Sequence, residues 1–323
     1  MEKRELKKIE DVLEGARSAA VIGHVRPDGD CVGSCLAVYH YVRRLLPEAR
    51  VQVYLQPFPQ SFDFLEGAEL VDHTWEEDVT YDVCFAVDCA DANRMGDARI
   101  YFDTAKTKVC IDHHVTNPLF GEWNQVQPES SSTCEILYGL MDEERIDSLI
   151  AECLYLGIVH DTGVFRHSCT SEETMKIAGR LMTKGARSTY IINETHDKKT
   201  FGQNKVLGRV LNSAKLWLDG RFIAGVAAAA DVEEFGLSAP DLDGIVDQLR
   251  ITEGVEVALF LHELGPNHFK ASLRATGSVD VSRIALKYGG GGHVKAAGCN
   301  VSGNWEEIAE EISLAVAEAL ERG

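Results

Sequence analysis

The sequence predicts an α/β protein in two parts, a mostly parallel-sheet N-terminal domain followed by a smaller α/β C-terminal domain. Three observations predict it. At roughly 100 to 200 residues per domain, the 323 residues argue for a pair, while a single large α/β domain stays open. Short apolar runs such as VCFAV and KVCI are continuous instead of alternating, as in strands covered on both faces. Between several of these runs stand stretches of helical periodicity, the order from which parallel sheets are built.

The elements follow in order. MEKRELKKIEDVLEGA reads as an amphipathic opening helix. Residues 18–23 (SAAVIG) read as a short buried strand, HVRPDGD as the loop behind it, and CVGSCLAVYHYVRRLL as the helix that returns along the sheet. VQVYLQ from residue 51, YDVCFAVD ending at Asp88 and KVCID ending at Asp112 are further strands of the same kind. From Ser130 three runs of period 3.6 follow, SSTCEILYGLMDEE, IDSLIAECLYLGIVHDTG and SEETMKIAGRLMTKG. Each has a polar start, and the last stops at Gly185, a helix-ending residue. They close a first domain over residues 1–189. The more polar stretch 190–210 is assigned to a linker, leaving residues 211–323 for the second domain. There KLWLDG and RFIAGVAAAA read as a hairpin, DLDGIVDQLR as the end of an acidic helical stretch, and VEVALFLHE and HFKASLRA as two strands. A glycine run (289–292) and an amphipathic helix from Asn304 complete the chain.

Composition excludes several classes. With 32 Lys+Arg against 51 Asp+Glu the net charge is −19, a poor field for capturing a long nucleic-acid duplex, which needs a basic surface. An anionic substrate stays open, because bound cations invert the charge of a site while the outer surface stays negative. Nine cysteines without a CxxC pair read as reduced thiols of a cytoplasmic protein and not as a disulfide framework or a zinc ribbon. The amino terminus is charged throughout where a signal peptide needs an apolar core, and no apolar run approaches the roughly 18 residues of a membrane span.

The chemistry concentrates where strands end. SAAVIG leads into His24, Asp28 and Asp30; VCFAV into Asp88; and VCI into Asp112, His113 and His114. Open parallel sheets bind ligands at the carboxyl ends of their strands, so these residues should meet. Asp161, where the IDSLIAECLYLGIVHDTG helix gives way to a turn, is the sixth candidate ligand beside His24, Asp28, Asp30, Asp88 and His113. Clustered buried carboxylates are costly unless paired, protonated or metal-bound, and the co-ligands on offer are mainly neutral imidazoles. An Asp/His set favours transition ions over Ca²⁺, and six ligands suit two ions sharing a carboxylate, an arrangement that hydrolyses phosphoesters. Four aspartates, Asp28, Asp30, Asp88 and Asp161, would balance two divalent ions. In the second domain Arg274 and His293, the latter directly after residues 289–292, suggest a phosphate-gripping clamp. The glycine run would let backbone N–H groups approach a phosphate, with a helix starting there to add its positive end. Taken singly, PDGD is a common turn, a glycine run is more often a flexible loop, and His160 reads as a packed side chain. Their order and placement at strand ends carry the argument.

The chain resembles the DHH phosphoesterase superfamily, in its bacterial and archaeal branch of nano-RNases that are also phosphatases of 3′-phosphoadenosine 5′-phosphate (pAp). The resemblance rests on GHVRPDGDCVGS (23–34), VDCADANRMG (87–96), IDHHVTN (111–117), SSSTCEI (130–136), DTGVFRHS (161–168), SLRA (272–275) and GGGGHVKAAG (289–298). It covers nearly the whole chain, with no departure at an expected ligand. It implies an active site in the crevice between a DHH domain and a DHH-associated substrate-binding domain. One ion would be held by His24, Asp28 and Asp88, the other by Asp30, Asp88, His113 and Asp161, with Asp88 bridging. The ions would be Mn²⁺ foremost, with Mg²⁺, Co²⁺ or Fe²⁺ as the other candidates. Asp88, His114 and Asp112 would serve catalysis, His114 facing the phosphate and Asp112 orienting a histidine. Arg94, Asn117, Ser272, Arg274, Gly290, Gly291, Gly292 and His293 would contact phosphate or nucleotide.

The implied activity is hydrolysis of short oligoribonucleotides to mononucleotides and of pAp to AMP, by a water activated between two ions. Short RNA oligonucleotides and small nucleotides such as pAp are the implied partners, with no long duplex and no membrane; the resemblance is compatible with a homodimer that no sequence feature demonstrates. Hydrolysis of cyclic or linear dinucleotides is the rival within the same chemistry. A non-enzymatic nucleotide sensor on the same fold is the rival from another class, and an intact ligand set argues against it.

Overall fold

The computed structural model describes residues 3–76 and 78–322. The chain divides into two compact units, Met1–Lys198 and Lys199–Gly323, each built, among the described residues, on one six-stranded sheet.

In the first unit the strands are β1 (Arg4–Glu5), β2 (Ser18–Ile22), β3 (Arg50–Tyr54), β4 (Val83–Val87), β5 (Thr107–Asp112) and β6 (Trp123–Val126). The helices are α1 (Gly29–Leu45), α2 (Arg99–Thr104), α3 (Thr133–Leu140), α4 (Ser148–Asp161), α5 (Glu172–Thr183) and α6 (Ser188–Ile192). Every strand pairing is parallel, in the order β1-β6-β5-β4-β2-β3. From β2 the chain steps outward to β3, then returns to lay β4 on the other side of β2. The succession reverses there, so the carboxyl ends of β2 and β4 flank the topological switch point at which such sheets bind ligands.

The sequence builds this sheet by apolarity on both faces. In β4 every residue is buried. Val83, Phe85 and Val87 enter a core shared with α1, α3, α4 and α5, while Cys84 and Ala86 face Tyr54, Tyr81 and Tyr101 on the other side. There Tyr54 and Tyr101 stack at 4.1 Å, and the Tyr54 and Tyr81 hydroxyls lie 2.8 Å apart. α1 and α4 cross closely because two glycines let them. A Cβ at Gly33 would stand 2.4 Å from the Cys153 carbonyl oxygen. One at Gly157 would stand 2.4 Å from Asp30 Oδ1 and 2.3 Å from Cys134 Sγ.

Two features differ from the sequence reading. The expected opening helix is an edge strand followed by a 3₁₀ turn, Ile9–Val12; Met1 and Glu2 lie outside the described residues. Leu6, Ile9, Val12 and Leu13 are buried as their spacing implies. The edge of β6, however, offers backbone partners, Arg4 N donating to Glu122 O and Leu6 N to Asn124 O. β6 itself, WNQV, is short and half polar and gives no apolar run to read.

In the second unit the strands are β7 (Lys215–Trp217), β8 (Phe222–Ala227), β9 (Val257–Gly265), β10 (His268–Ala275), β11 (Gly291–His293) and β12 (Ala296–Ser302). The helices are α7 (Phe201–Ser213), α8 (Ala229–Glu234), α9 (Ile245–Arg250), α10 (Val281–Lys287) and α11 (Trp305–Arg322). The order is β11-β12-β10-β9-β8-β7, antiparallel except for β8 with β9. Along β10, Phe269, Ala271, Leu273 and Ala275 are buried, which sets Ser272 and Arg274 on the opposite face. The division of the chain falls inside the stretch 190–210 assigned to a linker. That stretch is helical on both sides: α6 runs into a π-helical turn, Asn193–Asp197, and Val206 and Val210 of α7 are buried in the second unit's core. The glycine run also corrects an expectation, since no helix begins there. It follows the carboxyl end of α10, where Gly289 is left-handed and Gly290 N donates to Ala285 O, a helix-ending bond pair with Gly289 N to Leu286 O. Among the described residues, no helix is long and apolar enough to cross a membrane.

Gly157→Ala should destabilise the first unit by about 1–3 kcal/mol, the usual cost of overpacking, and should displace Asp30. A lower urea midpoint with an unchanged slope checks it.

Candidate metal centre

The loop after β2 carries His24, and Asp28 caps α1, its Oδ1 accepting from Asp30 N and Cys31 N. His24 Nδ1 lies 3.0 Å from Val25 O. Its Nε2 lies 3.7 Å from Asp28 Oδ1 and 3.4 Å from Asp88 Oδ2. Asp88, one residue past β4, is buried and holds a left-handed φ of 56°. For a non-glycine residue this costs on the order of 1–3 kcal/mol and is characteristic of functional sites. Its Oδ1 accepts from Thr133 Oγ1 at 3.1 Å and lies 3.7 Å from His113 Nε2 and 3.8 Å from His114 Nδ1. One oxygen of Asp88 therefore faces His24 and the other faces the DHH histidines.

Asp30 is fully buried at the amino end of α3, accepting Thr133 N at 2.7 Å and Cys134 N at 3.0 Å. Asp161 is the last residue of α4, where the helix dipole disfavours a carboxylate, and its Oδ2 lies 3.2 Å from His113 Nε2. Asp112 is fully buried, accepting from His114 Nδ1 at 2.8 Å and from Asn117 Nδ2 at 2.7 Å.

Electrostatics show what this arrangement lacks. Burial, reinforced by the charge of Asp30, pushes the Asp88 carboxyl up to about 7. Burial likewise raises Asp30, against the pull of His113, and raises Asp161 with the charges of Asp30 and Asp88 added. At His24 burial works downward, but the Asp28 and Asp88 carboxylates outweigh it and hold the imidazole well above its usual range. Asp28 answers in kind: burial would raise it, yet His24 brings it to about 2. Without a cation the cluster takes up protons. Divalent ions would discharge the same repulsion, and the donors stand where they could do so. His24, Cys31 and Asp88, then Asp88, His113 and His114, then Asp30, His113 and Asp161 each bring ligand atoms within 4.8 Å of one another. Carboxylates with imidazoles suit first-row transition ions.

The structure thus brings His24, Asp28, Asp30, Asp88, His113 and Asp161 together, with Asp112 and His114 beside them. Arg94 Nη2 lies 3.3 Å from His24 Nδ1. Asn117, expected at the substrate, has its amide committed within the protein, donating to Asp112 and Cys89 O while its oxygen accepts Leu119 N. Cys31 and Thr133 were not among the expected site residues. Thr133 carries the signal of a helix start in SSST, whereas nothing in the spacing singles out Cys31. His160 is packed edge-on to Phe62, and burial lowers its pKa to about 4.

In the second unit Arg274, Ala296 and His293 stand opposite one another across β10, β12 and β11, as do Ser272, Gly298 and Gly291. Residues opposite in antiparallel strands share a face, so Ser272, Arg274 and His293 line one surface together with Ala296, Gly298 and Gly291. A Cβ at Gly290 would stand 2.2 Å from Gly298 O, and one at Gly292 2.5 Å from Ala296 O. Arg274 Nη1 donates to Leu273 O.

The model of the DHH family, N-terminal domain, matches residues 18–158, and that of the DHHA1 domain matches residues 219–321. The bifunctional oligoribonuclease and PAP phosphatase NrnA of Thermus thermophilus is 30% identical over 97% of this chain and 94% of its own length. The chain belongs to the DHH family. The NrnA of Bacillus subtilis is 30% identical over 88% of the chain and 89% of its own. Among solved structures, an exopolyphosphatase-related protein from Bacteroides fragilis superposes with a TM-score of 0.83 at 26% identity, covering 97% of this chain and 94% of that one. DHH phosphoesterases are metal-dependent, and the DHH match ends three residues before Asp161, so the centre's last carboxylate stands just beyond it.

Because the folded state raises Asp88 from 3.8 to about 7, the metal-free protein binds more protons than the unfolded chain between those values, and its stability falls as pH rises through that window. Thermal denaturation after chelation should show this decline between pH 4 and 7, and added Mn²⁺ should reverse it.

Proposed function

We propose that this protein is a phosphoesterase that hydrolyses short oligoribonucleotides to mononucleotides and converts pAp to AMP, using two divalent ions, Mn²⁺ foremost. The carrying observation is Asp88 at the switch point of the sheet, one oxygen turned to His24 and the other to His113 and His114. The names of the T. thermophilus and B. subtilis relatives support the substrate class. One ion is assigned to His24, Asp28 and Asp88, the other to Asp30, Asp88, His113 and Asp161. When bound, such a pair supplies an activated water and offsets charge developing at phosphorus.

The chain's own residues do the rest. The amides of α3 hold Asp30 in place, and the left-handed turn at Asp88 aims its carboxylate both ways. Asn117 positions Asp112, and Asp112 fixes the His114 ring. His114 Nδ1 donates to Asp112, and this hydrogen bond raises the His114 pKa, which favours the charged ring as a donor from Nε2–H to a phosphate oxygen. Ser272, Arg274 and His293 form the nucleotide-holding surface, with Gly290, Gly291 and Gly292 keeping it low enough for a phosphate to reach backbone. Nine unpaired cysteines, eight of them buried, fit a reducing compartment, and we place the activity in the cytoplasm.

The test is parallel incubation with Mn²⁺ of a 5′-phosphorylated RNA dinucleotide, a long single-stranded RNA, pAp, pyrophosphate and cyclic di-AMP. The dinucleotide and pAp should disappear first, with Asp88→Asn slower by at least about a hundredfold, the scale of losing one main electrostatic stabiliser. Preference for pyrophosphate, long RNA or the cyclic dinucleotide would overturn the reading. Arg274→Ala should raise KM about 10- to 100-fold with kcat little changed, as for a lost charged hydrogen bond; steady-state kinetics on pAp check it.

A further inference from the structure

The two sides of the centre are not equivalent. On the His24 side a cysteine stands among the donors. Cys31 lies in the first turn of α1, fully buried, and its Sγ turns back toward the preceding loop, where it accepts His24 N–H at 3.2 Å. Its sulfur, a ring nitrogen of His24 and a carboxylate oxygen of Asp88 lie within 4.8 Å of one another, and His24 and Asp88 are more than nine-tenths buried. The His113 side holds Asp30, His113 and Asp161 without a thiol. Two cysteines border that side without joining its donors: Cys134 directs its thiol to the backbone carbonyls of Asp30 and Cys153, and Cys169 directs its thiol to the backbone carbonyl of Asp161.

Geometry fits a four-cornered site. A tetrahedral ion with M–N of about 2.0 Å and M–S of about 2.3 Å separates its ligand atoms by roughly 3.3–3.7 Å. The edges from His24 Nε2 to Asp88 Oδ2 and to Asp28 Oδ1 measure 3.4 and 3.7 Å. Both edges that meet at His24 are therefore spaced for an ion, and Cys31 Sγ, within 4.8 Å of a His24 ring nitrogen and an Asp88 oxygen, stands close enough to be the fourth donor. Sulfur changes which ion is preferred, since thiolate selects thiophilic ions while carboxylate and water accept harder ones.

We propose that Cys31 is a metal ligand, giving the His24 side a His/Cys/Asp donor set that takes a thiophilic divalent ion such as Zn²⁺ or Co²⁺, while the His113 side keeps the oxygen-rich set of a harder ion such as Mn²⁺. The centre is then a mixed one, and Cys31 is what distinguishes its halves. On ligation the thiol releases its proton to solvent, as metal-bound thiols do. This inference rests on the metal-centre reading above.

Cobalt titration of the chelated protein, with the exposed Cys169 alkylated beforehand, separates the two. The expected result is a near-ultraviolet thiolate-to-cobalt charge-transfer band that saturates at one equivalent, together with visible ligand-field bands. Cys31→Ser, which keeps an acceptor for the His24 amide, and Cys31→Ala should both lose the near-ultraviolet band and retain the visible ones. Competition with a chelator should show Zn²⁺ affinity reduced at least about tenfold in Cys31→Ser, the loss that even a ligand's hydrogen-bonding partner produces, with Mn²⁺ binding in place. Visible bands without a charge-transfer band in the wild-type protein, a measurement that does not depend on the variants folding, would overturn the role of Cys31 and leave the metal centre standing. Persistence of the band in both variants would overturn it equally. Failure to bind cobalt at all would overturn the metal-centre reading itself.

Discussion

Mutual repulsion among buried carboxylates is the constraint from which the first unit's architecture follows. Asp30 and Asp88 are removed from water and Asp161 is partly so, and each is pushed toward its protonated form. Local partners offset only part of this. Two α3 amides serve Asp30, and one hydroxyl serves Asp88. Asp161 stands at the wrong end of a helix for an anion. What remains is a site that needs positive charge, with two imidazoles, His24 and His113, placed beside the carboxylates.

The scaffold supplies the rigidity that such a cluster demands. β2, β4 and β5 are hydrogen-bonded neighbours, so their carboxyl ends, and the ligands that follow them, are held at fixed separations. Helices cover one face of the sheet through Val83, Phe85 and Val87, and the tyrosine stack covers the other. The close crossing of α1 and α4 at Gly33 and Gly157 brings together the Asp30 end of one helix and the chain that leads to Asp161. The strained backbone at Asp88 persists because β4 and β5 overdetermine it, Asp88 N donating to Ile111 O.

The second unit solves a different problem with the same economy of side chains. Strands β10 and β11 place Arg274 and His293 in one row, with Ala296 between them, and Ser272 in the next with Gly298 and Gly291. From its composition the glycine run suggests a loop at the start of a helix. It is instead a helix terminus that becomes an edge strand, because the left-handed Gly289 ends α10 and Gly290 has room for nothing larger beside Gly298.

The sequence by itself determined the α/β class, the buried parallel strands and the residue types gathered at their carboxyl ends. Those signals are local: a continuous apolar run reports burial on both faces, and Asp or His directly after it reports chemistry at a strand end. Tertiary structure decided what depends on partners distant along the chain. The opening segment is a strand because β6 offers an edge, although its apolar spacing suits a helix. Thr133 reaches Asp30 across 103 residues. Asn117 is spent on holding Asp112, and Cys31 lies beside His24 and Asp88 because the turn of α1 points its sulfur back at His24. None of these is written in spacing, because hydrogen-bond partners and donor geometry exist only once the elements have packed.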